Sequence, residues 1–177
     1  MVELRYIITG GPGAGKTTLL EALTRAGHAC SEEVSRQLII EEVGKASDCL
    51  PWKDLPCFAG RVLTGMMHAY DEAAGHLTFF DRGIPDIIAY LEAAALPVTA
   101  QYYQAIDAHP YARTVFLLPP WEEIYVQDTE RWQTFAEAVL LHRHIRTAYE
   151  EAGYHLVEVP KASPEERVLF IQKSCRL

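Results

Sequence analysis

Short apolar runs bounded by turn residues alternate along this chain with longer stretches whose apolar positions recur at helical spacing. Leu4–Thr9, His28–Glu33, His76–Asp81, Arg113–Leu118 and His155–Val159 predict five strands. Between them, Thr17–Ala26, Val34–Val43, Phe58–Ala74, Ile84–Ala95, Ala100–Ala108, Phe135–Ala152 and Pro164–Cys175 predict helices. Strands alternating with helices imply right-handed parallel crossovers and an α/β architecture with helices on both faces of the sheet. Ligands in such sheets bind at the C-terminal strand ends, so chemistry carried there gathers on one rim.

Two stretches break the alternation. Gly44 to Pro56 is polar and turn-rich and reads as an interruption between two helices rather than a domain boundary. Pro119 to Thr134, after the fourth strand, is irregular and carries Glu122, Glu123, Asp128, Glu130 and Arg131. No internal repeat or low-complexity tract appears. The 177 residues fit one domain over 1–177, with a lid-like segment at about 119–134.

The first of the strand-to-helix joints carries the sharpest chemistry. Gly10-Gly11-Pro12-Gly13-Ala14-Gly15-Lys16-Thr17 fits the phosphate-binding P-loop pattern of glycine, four residues, then Gly-Lys-Thr. In that turn successive backbone N–H groups point inward and cradle phosphate oxygens. Gly10, Gly13 and Gly15 lack the Cβ atoms that would hold the backbone away from an anion. Lys16 can reach the β- and γ-phosphates, the Thr17 hydroxyl can ligate Mg²⁺, and Thr18 follows in the first helical turn. The helix dipole turns its positive end toward the same anion. A glycine-rich joint with no ligand is the plainer alternative, but the strand before and helix after favour nucleoside triphosphate binding.

A second strand end supports that reading. His76-Leu77-Thr78-Phe79-Phe80-Asp81-Arg82-Gly83 ends an apolar run on an acid–arginine pair. Asp81 there can hold Mg²⁺, directly or through water, or take a proton from an attacking hydroxyl, and Arg82 can pair with a phosphate or substrate anion. Asp81 could also serve as a helix cap. Ser31-Glu32-Glu33-Val34-Ser35-Arg36 ends the second strand, where Glu33 and Arg36, three apart, could share a face and grip a substrate hydroxyl, or belong to an ordinary first helical turn. Arg131, in the lid-like stretch, is the candidate for neutralising charge on a transferring phosphoryl group; Arg143 and Arg146 are weaker candidates. Trp52, Trp121 and Trp132 could stack on a base or be part of the core. His142 and His144, two apart on a helix, make a poor metal pair. Lys161-Ala162-Ser163-Pro164 lies where related folds meet the nucleotide base.

Composition narrows the partners. Net charge is −8, so phosphate binding has to be local and a nucleic-acid or anionic-membrane surface is not expected. The opening Met1-Val2-Glu3-Leu4-Arg5 leads straight into a strand, which predicts no secretory signal, and no apolar run nears the roughly 20 residues needed to span a bilayer. Cys30, Cys49, Cys57 and Cys175 form no CxxC pair and read as reduced, scattered thiols of a cytoplasmic protein. There is no asparagine, so the guanine-reading Asn-Lys-x-Asp of GTPases is absent. No Leu-Ser-Gly-Gly-Gln stretch marks a transporter ATPase, and no strand ends in an acidic pair as in larger oligomeric ATPases.

Taken together, Gly10–Thr17, Glu33-Val34-Ser35-Arg36, Phe80-Asp81-Arg82-Gly83, Val115-Phe116-Leu117-Leu118 and Asp128-Thr129-Glu130-Arg131 resemble a family of small AAA-type P-loop proteins related to the ribosylnicotinamide kinase domain of NadR, and more distantly the nucleoside and thymidylate kinases. The resemblance runs from Leu4 to about Pro160. It implies a three-layer α/β/α sandwich, a five-stranded parallel sheet in the order 2-3-1-4-5, and ATP with Mg²⁺. It also implies phosphoryl transfer to a small acceptor, with Glu33 at the position of the acceptor base and Asp81-Arg82 at that of the acid–arginine pair. The lid departs from those kinases, with Arg131 alone in acidic surroundings. The leading expectation is an ATP-dependent kinase for a nucleoside or similar small hydroxyl compound. A nucleotide-binding switch or slow ATPase is the alternative, and the oligomeric state is left open.

Overall fold

The computed structural model describes residues 5–125 and 134–175. In chain order the elements are β1 (Arg5–Gly10), α1 (Lys16–Arg25), β2 (Ala29–Ser31), α2 (Val34–Gly44), α3 (Leu55–Glu72), β3 (Thr78–Asp81), α4 (Ile84–Ala93), α5 (Ala100–Ala108), β4 (Thr114–Leu118), α6 (Phe135–Glu151), β5 (His155–Glu158) and α7 (Pro164–Cys175). A short 3-10 turn spans Glu122–Ile124. All five strands pair in parallel, in the order β2-β3-β1-β4-β5, as the resemblance implies.

Successive strand residues face opposite sides of the sheet, and the core divides accordingly. Ile7, Phe80, Val115 and Leu117 point to one side, packing with Phe58, Ile84, Ile87, Ile145 and Tyr149 of α3, α4 and α6. Ile8, Phe79, Phe116 and Leu118 point to the other, packing with Leu19 and Leu23 of α1 and Val168 and Ile171 of α7. Two apolar faces on one sheet demand helices on both, giving three layers. Register then sets the rim: Ile8 pairs with Asp81 and Gly10 with Leu118, so Asp81 ends its strand beside the start of the glycine loop.

Local boundaries differ from expectation for definable reasons. β2 stops at Ser31, because Glu33 leaves the strand to become the N-cap of α2. α3 begins at Leu55 rather than Phe58: Asp54 caps it by accepting from the Cys57 amide at 3.0 Å, and Pro56 sits in the first turn where a missing N–H costs nothing.

The cysteines require a correction. Cys49 and Cys57 are joined in a disulfide, so they are not reduced, scattered thiols. The amides of Lys53 and Asp54 both donate to the Leu50 carbonyl, folding the α2–α3 connection back and bringing the two Cα atoms to 5.4 Å, within bridging reach. Closing so short a loop contributes about 2–3 kcal/mol through the unfolded chain. Cys57→Ser is therefore expected to lower the urea-unfolding free energy by about that amount, and a dithiol reductant should lower the wild-type value equally. A wild-type value insensitive to reductant contradicts the bridge.

Candidate active site

The glycine loop between β1 and α1 is closely packed from behind. Gly10 approaches β4 so tightly that a Cβ would lie 2.8 Å from the Leu118 carbonyl oxygen, and Gly15 caps α1 in the left-handed region at φ 83°. Lys16 curls back and donates to the carbonyls of Gly10 at 3.0 Å and Gly11 at 3.3 Å. Burial lowers its ammonium to about 8, the nearby Arg82 pushes the same way, and Asp81 and Glu33 resist. The free protein thus holds a cation that a polyanion would stabilise. Pro12, Gly13, Gly15, Lys16, Thr17 and Thr18 line a cavity of about 1100 Å³. Gly10, Gly11 and Ala14 lie buried behind that lining.

Arg82 is the hub of the opposite wall. It directly follows β3, with its amide bound to the Ile8 carbonyl at 3.0 Å, and it adopts φ 75°, a left-handed conformation uncommon outside glycine. Strain of this kind persists where surrounding contacts over-determine the residue. Here the guanidinium reaches Glu33 Oε1, Asp86 Oδ1 and the Gly10 carbonyl, each at 3.3 Å, and its carbon lies 5.4 Å from the centre of the Tyr90 ring. Asp86 in turn accepts from the Thr9 hydroxyl at 2.6 Å, the Tyr149 hydroxyl at 2.5 Å and the Gly83 amide at 3.0 Å. Loop, β3, α4 and α6 therefore share one buried polar network.

Glu33 sits on the cavity wall and accepts from Arg82 and from Ser35 at 2.9 Å; Arg36 lines the same cavity. Burial pushes the Glu33 carboxyl up, but Arg82 and Lys16 outweigh it and hold the group down to about 2. A depressed carboxyl contributes stability that is complete above its unfolded value near 4.5 and is lost as pH falls toward 2. The window is worth on the order of 3 kcal/mol. Glu33→Gln should cost part of that at pH 7, and its deficit against wild type should shrink between pH 4.5 and 2 in acid unfolding curves. A deficit constant with pH would exclude the ion pair as its source.

Asp81 ends β3 and is buried; it does not line the cavity. Burial raises its carboxyl despite Lys16 and Arg82, and its Oδ1 is buried with no hydrogen-bond partner. A buried, unpartnered carboxylate oxygen next to the loop suits a cation or a cation-bound water, and the exposed Thr17 hydroxyl on the cavity wall is a second oxygen donor. Among the described residues no group of three or more His, Cys, Asp or Glu side chains is placed to hold a metal ion. Arg131 and Trp132 lie outside the described residues. Arg146 instead binds Glu158 at 3.1 Å and Glu150 at 3.6 Å on α6, and neither it nor Arg143 lines the cavity.

Sequence reasoning missed Asp86, Tyr149 and Arg167. Arg167, in the first turn of α7 and 2% exposed, donates to the carbonyls of Ala14 at 3.2 Å, Gly15 at 3.4 Å and Pro160 at 3.1 Å, and stacks 5.1 Å from the Trp121 ring centre. It ties the glycine loop to Lys161–Pro164, which line the same cavity. A cation in the first turn of a helix opposes the helix dipole, and that misfit was the available signal.

A parallel sheet in this order, with a glycine loop after the first strand and an acid–arginine pair at the end of the neighbouring strand, defines a kinase-like P-loop fold. The chain belongs to an AAA domain family, which it matches over residues 5–167. Among solved structures it is similar to deoxyadenosine kinase from M. mycoides with dCMP and dCDP bound, at TM-score 0.68 and 16% identity over 97% of this chain and 98% of that one. It is similar to NadR in complex with NR, at TM-score 0.73 and 18% identity over 99% of this chain but 52% of NadR, so it spans about half of that protein. Thymidylate kinase from Ehrlichia chaffeensis superposes at TM-score 0.67, with 12% identity over the full length of both chains. No curated protein matches the sequence.

Proposed function

We propose that this chain is an ATP-dependent kinase transferring the γ-phosphoryl group of ATP to the hydroxyl of a nucleoside or similarly small acceptor. The observation that carries the reading is one continuous cavity of about 1100 Å³. It joins Lys16 and Thr17, through Glu33 and Arg82, to an apolar compartment between α2, α3 and α4. Its volume exceeds the usual range of single-ligand sites, which suits two ligands meeting end to end.

In this reading the loop amides and Lys16 hold the triphosphate, with Arg167 fixing the loop's shape through the Ala14 and Gly15 carbonyls. Thr17 and Asp81 would hold Mg²⁺, which when bound offsets negative charge on the phosphate oxygens. Glu33 or Asp81 accepts the acceptor's proton. Arg82 holds Glu33 toward the acceptor, and Arg131 is the proposed lid cation. The lowered Glu33 carboxyl is a weak base, which suits a loose phosphoryl transfer in which positioning and charge stabilisation supply most of the rate.

The acidic balance, −8, supports a small-molecule partner rather than nucleic acid or a charged membrane, and the reading takes 1–177 as one domain. No helix among the described residues is long and apolar enough to cross a membrane. The test is ADP release with ATP-Mg²⁺ across small hydroxyl compounds, with the product identified by mass. A phosphorylated acceptor is expected. Turnover answering only to a macromolecule would favour the switch.

A further inference from the structure

We infer that, of the two acceptor classes in the kinase reading on which this rests, the substrate is the small hydroxyl compound rather than the nucleoside: an alcohol with an uncharged, largely apolar body about 10 Å long. The compartment beyond Glu33 and Arg82 has a one-sided chemistry. Along α3 it is lined by Leu55, Phe58, Val62 and Met66, a stripe at helical spacing. Along α4 it is lined by Ile87, Tyr90 and Ala94. At 1.5 Å per residue, Ile87 to Ala94 spans about 10 Å, which sets the length of the body that fits.

Polar side chains of this compartment gather at its loop end. Glu33 is bonded to Ser35 and Arg82, Arg36 lines the cavity one turn along α2, and Asp86 is committed to Thr9, Tyr149, Gly83 and Arg82. Farther along α3 and α4, Tyr90 is the one lining side chain among the described residues with a hydrogen-bonding group. A nucleobase set there would press several donors and acceptors against Val62 and Met66, each unmatched group costing on the order of tenfold in affinity. An apolar body gains from the same surface. Trp52 stands at the rim, 56% exposed, in the loop that the Cys49–Cys57 bridge closes, where an apolar ligand would cover its ring.

In the reaction, the alcohol oxygen bonds to the γ-phosphorus as the bond to the β–γ bridging oxygen breaks. ADP leaves, the hydroxyl proton passes to a carboxylate, and a phosphate monoester forms.

The experiment titrates the wild-type protein, with Mg²⁺ and a non-hydrolysable ATP analogue, against 4-phenylbutan-1-ol, adenosine and uridine by calorimetry. The alcohol is expected to bind at least tenfold more tightly than either nucleoside, and Trp52→Ala to weaken it several-fold. A nucleoside binding as tightly, no binding of the alcohol, or unchanged affinity in Trp52→Ala overturns the inference. With ATP in place of the analogue, mass spectrometry should find the phosphate ester. Selective alcohol binding without ester overturns the kinase reading and upholds the apolar ligand class.

Discussion

Lys16→Ala is expected to lower kcat at least a thousandfold, equivalent to about 4 kcal/mol of barrier, and to weaken ATP-Mg²⁺ binding about tenfold or more. Neither loss should come with unfolding. Lys16 is buried and lowered to about 8, so in the free protein at pH 7 its charge is held at a cost that two loop carbonyls and the nearby Asp81 and Glu33 carboxylates only partly offset. Removing the ammonium removes that cost together with those hydrogen bonds, and the urea-unfolding free energy should stay within about 1 kcal/mol of wild type. In the proposed reaction the same cation would leave its carbonyls for phosphate oxygens when a triphosphate enters, and its interaction would strengthen as charge spreads in the transition state. Single-turnover rates and equilibrium binding of an ATP analogue separate the two effects. Unchanged analogue affinity would remove Lys16, and with it the glycine loop, from the nucleotide site.

The parts legible in the sequence are those in which one stretch of backbone carries both fold and chemistry. Gly10 to Thr17 is such a stretch, since the loop needs particular φ angles and close approaches that only its own glycines permit. The strand–helix alternation is another, and it placed Asp81, Arg82 and Glu33 on one rim before their contacts were visible. What stayed hidden was partnership across the chain. Glu33 suggested Arg36, one turn away, whereas its charged partner is Arg82, 49 residues on. Asp86 drew no notice in the sequence; it accepts from the Gly83 amide at the start of α4, but its wider role depends on Tyr149, 63 residues away. Spacing shows which residues share a face of one element; it does not show which faces of two elements meet. The Cys49–Cys57 bridge was hidden likewise, because a turn bonded to the Leu50 carbonyl, not a cysteine motif, brings the thiols together.

Asp86→Ala should be the most damaging substitution for stability among the residues of this site, at about 3–5 kcal/mol. The carboxylate is 2% exposed and takes four donors, one of them the guanidinium of Arg82. Without it, two hydroxyls, an amide and part of a buried cation lose their acceptor, and Arg82 loses one of the contacts that hold it at φ 75°. Asp86→Asn serves as the control for shape. Donors approach both carboxylate oxygens, so whichever way an amide turns, its NH₂ faces at least one of them, and the loss should approach that of alanine. A cycle with Tyr149→Phe should show strong coupling, since the phenol loses its purpose once Asp86 is gone. Because Arg82 also carries Glu33, turnover should fall in Asp86→Asn even at temperatures where the protein stays folded, while ATP-analogue affinity, set by the glycine loop and Lys16, changes less. Asp86→Asn retaining wild-type stability would show that the network is not what holds Arg82 in place.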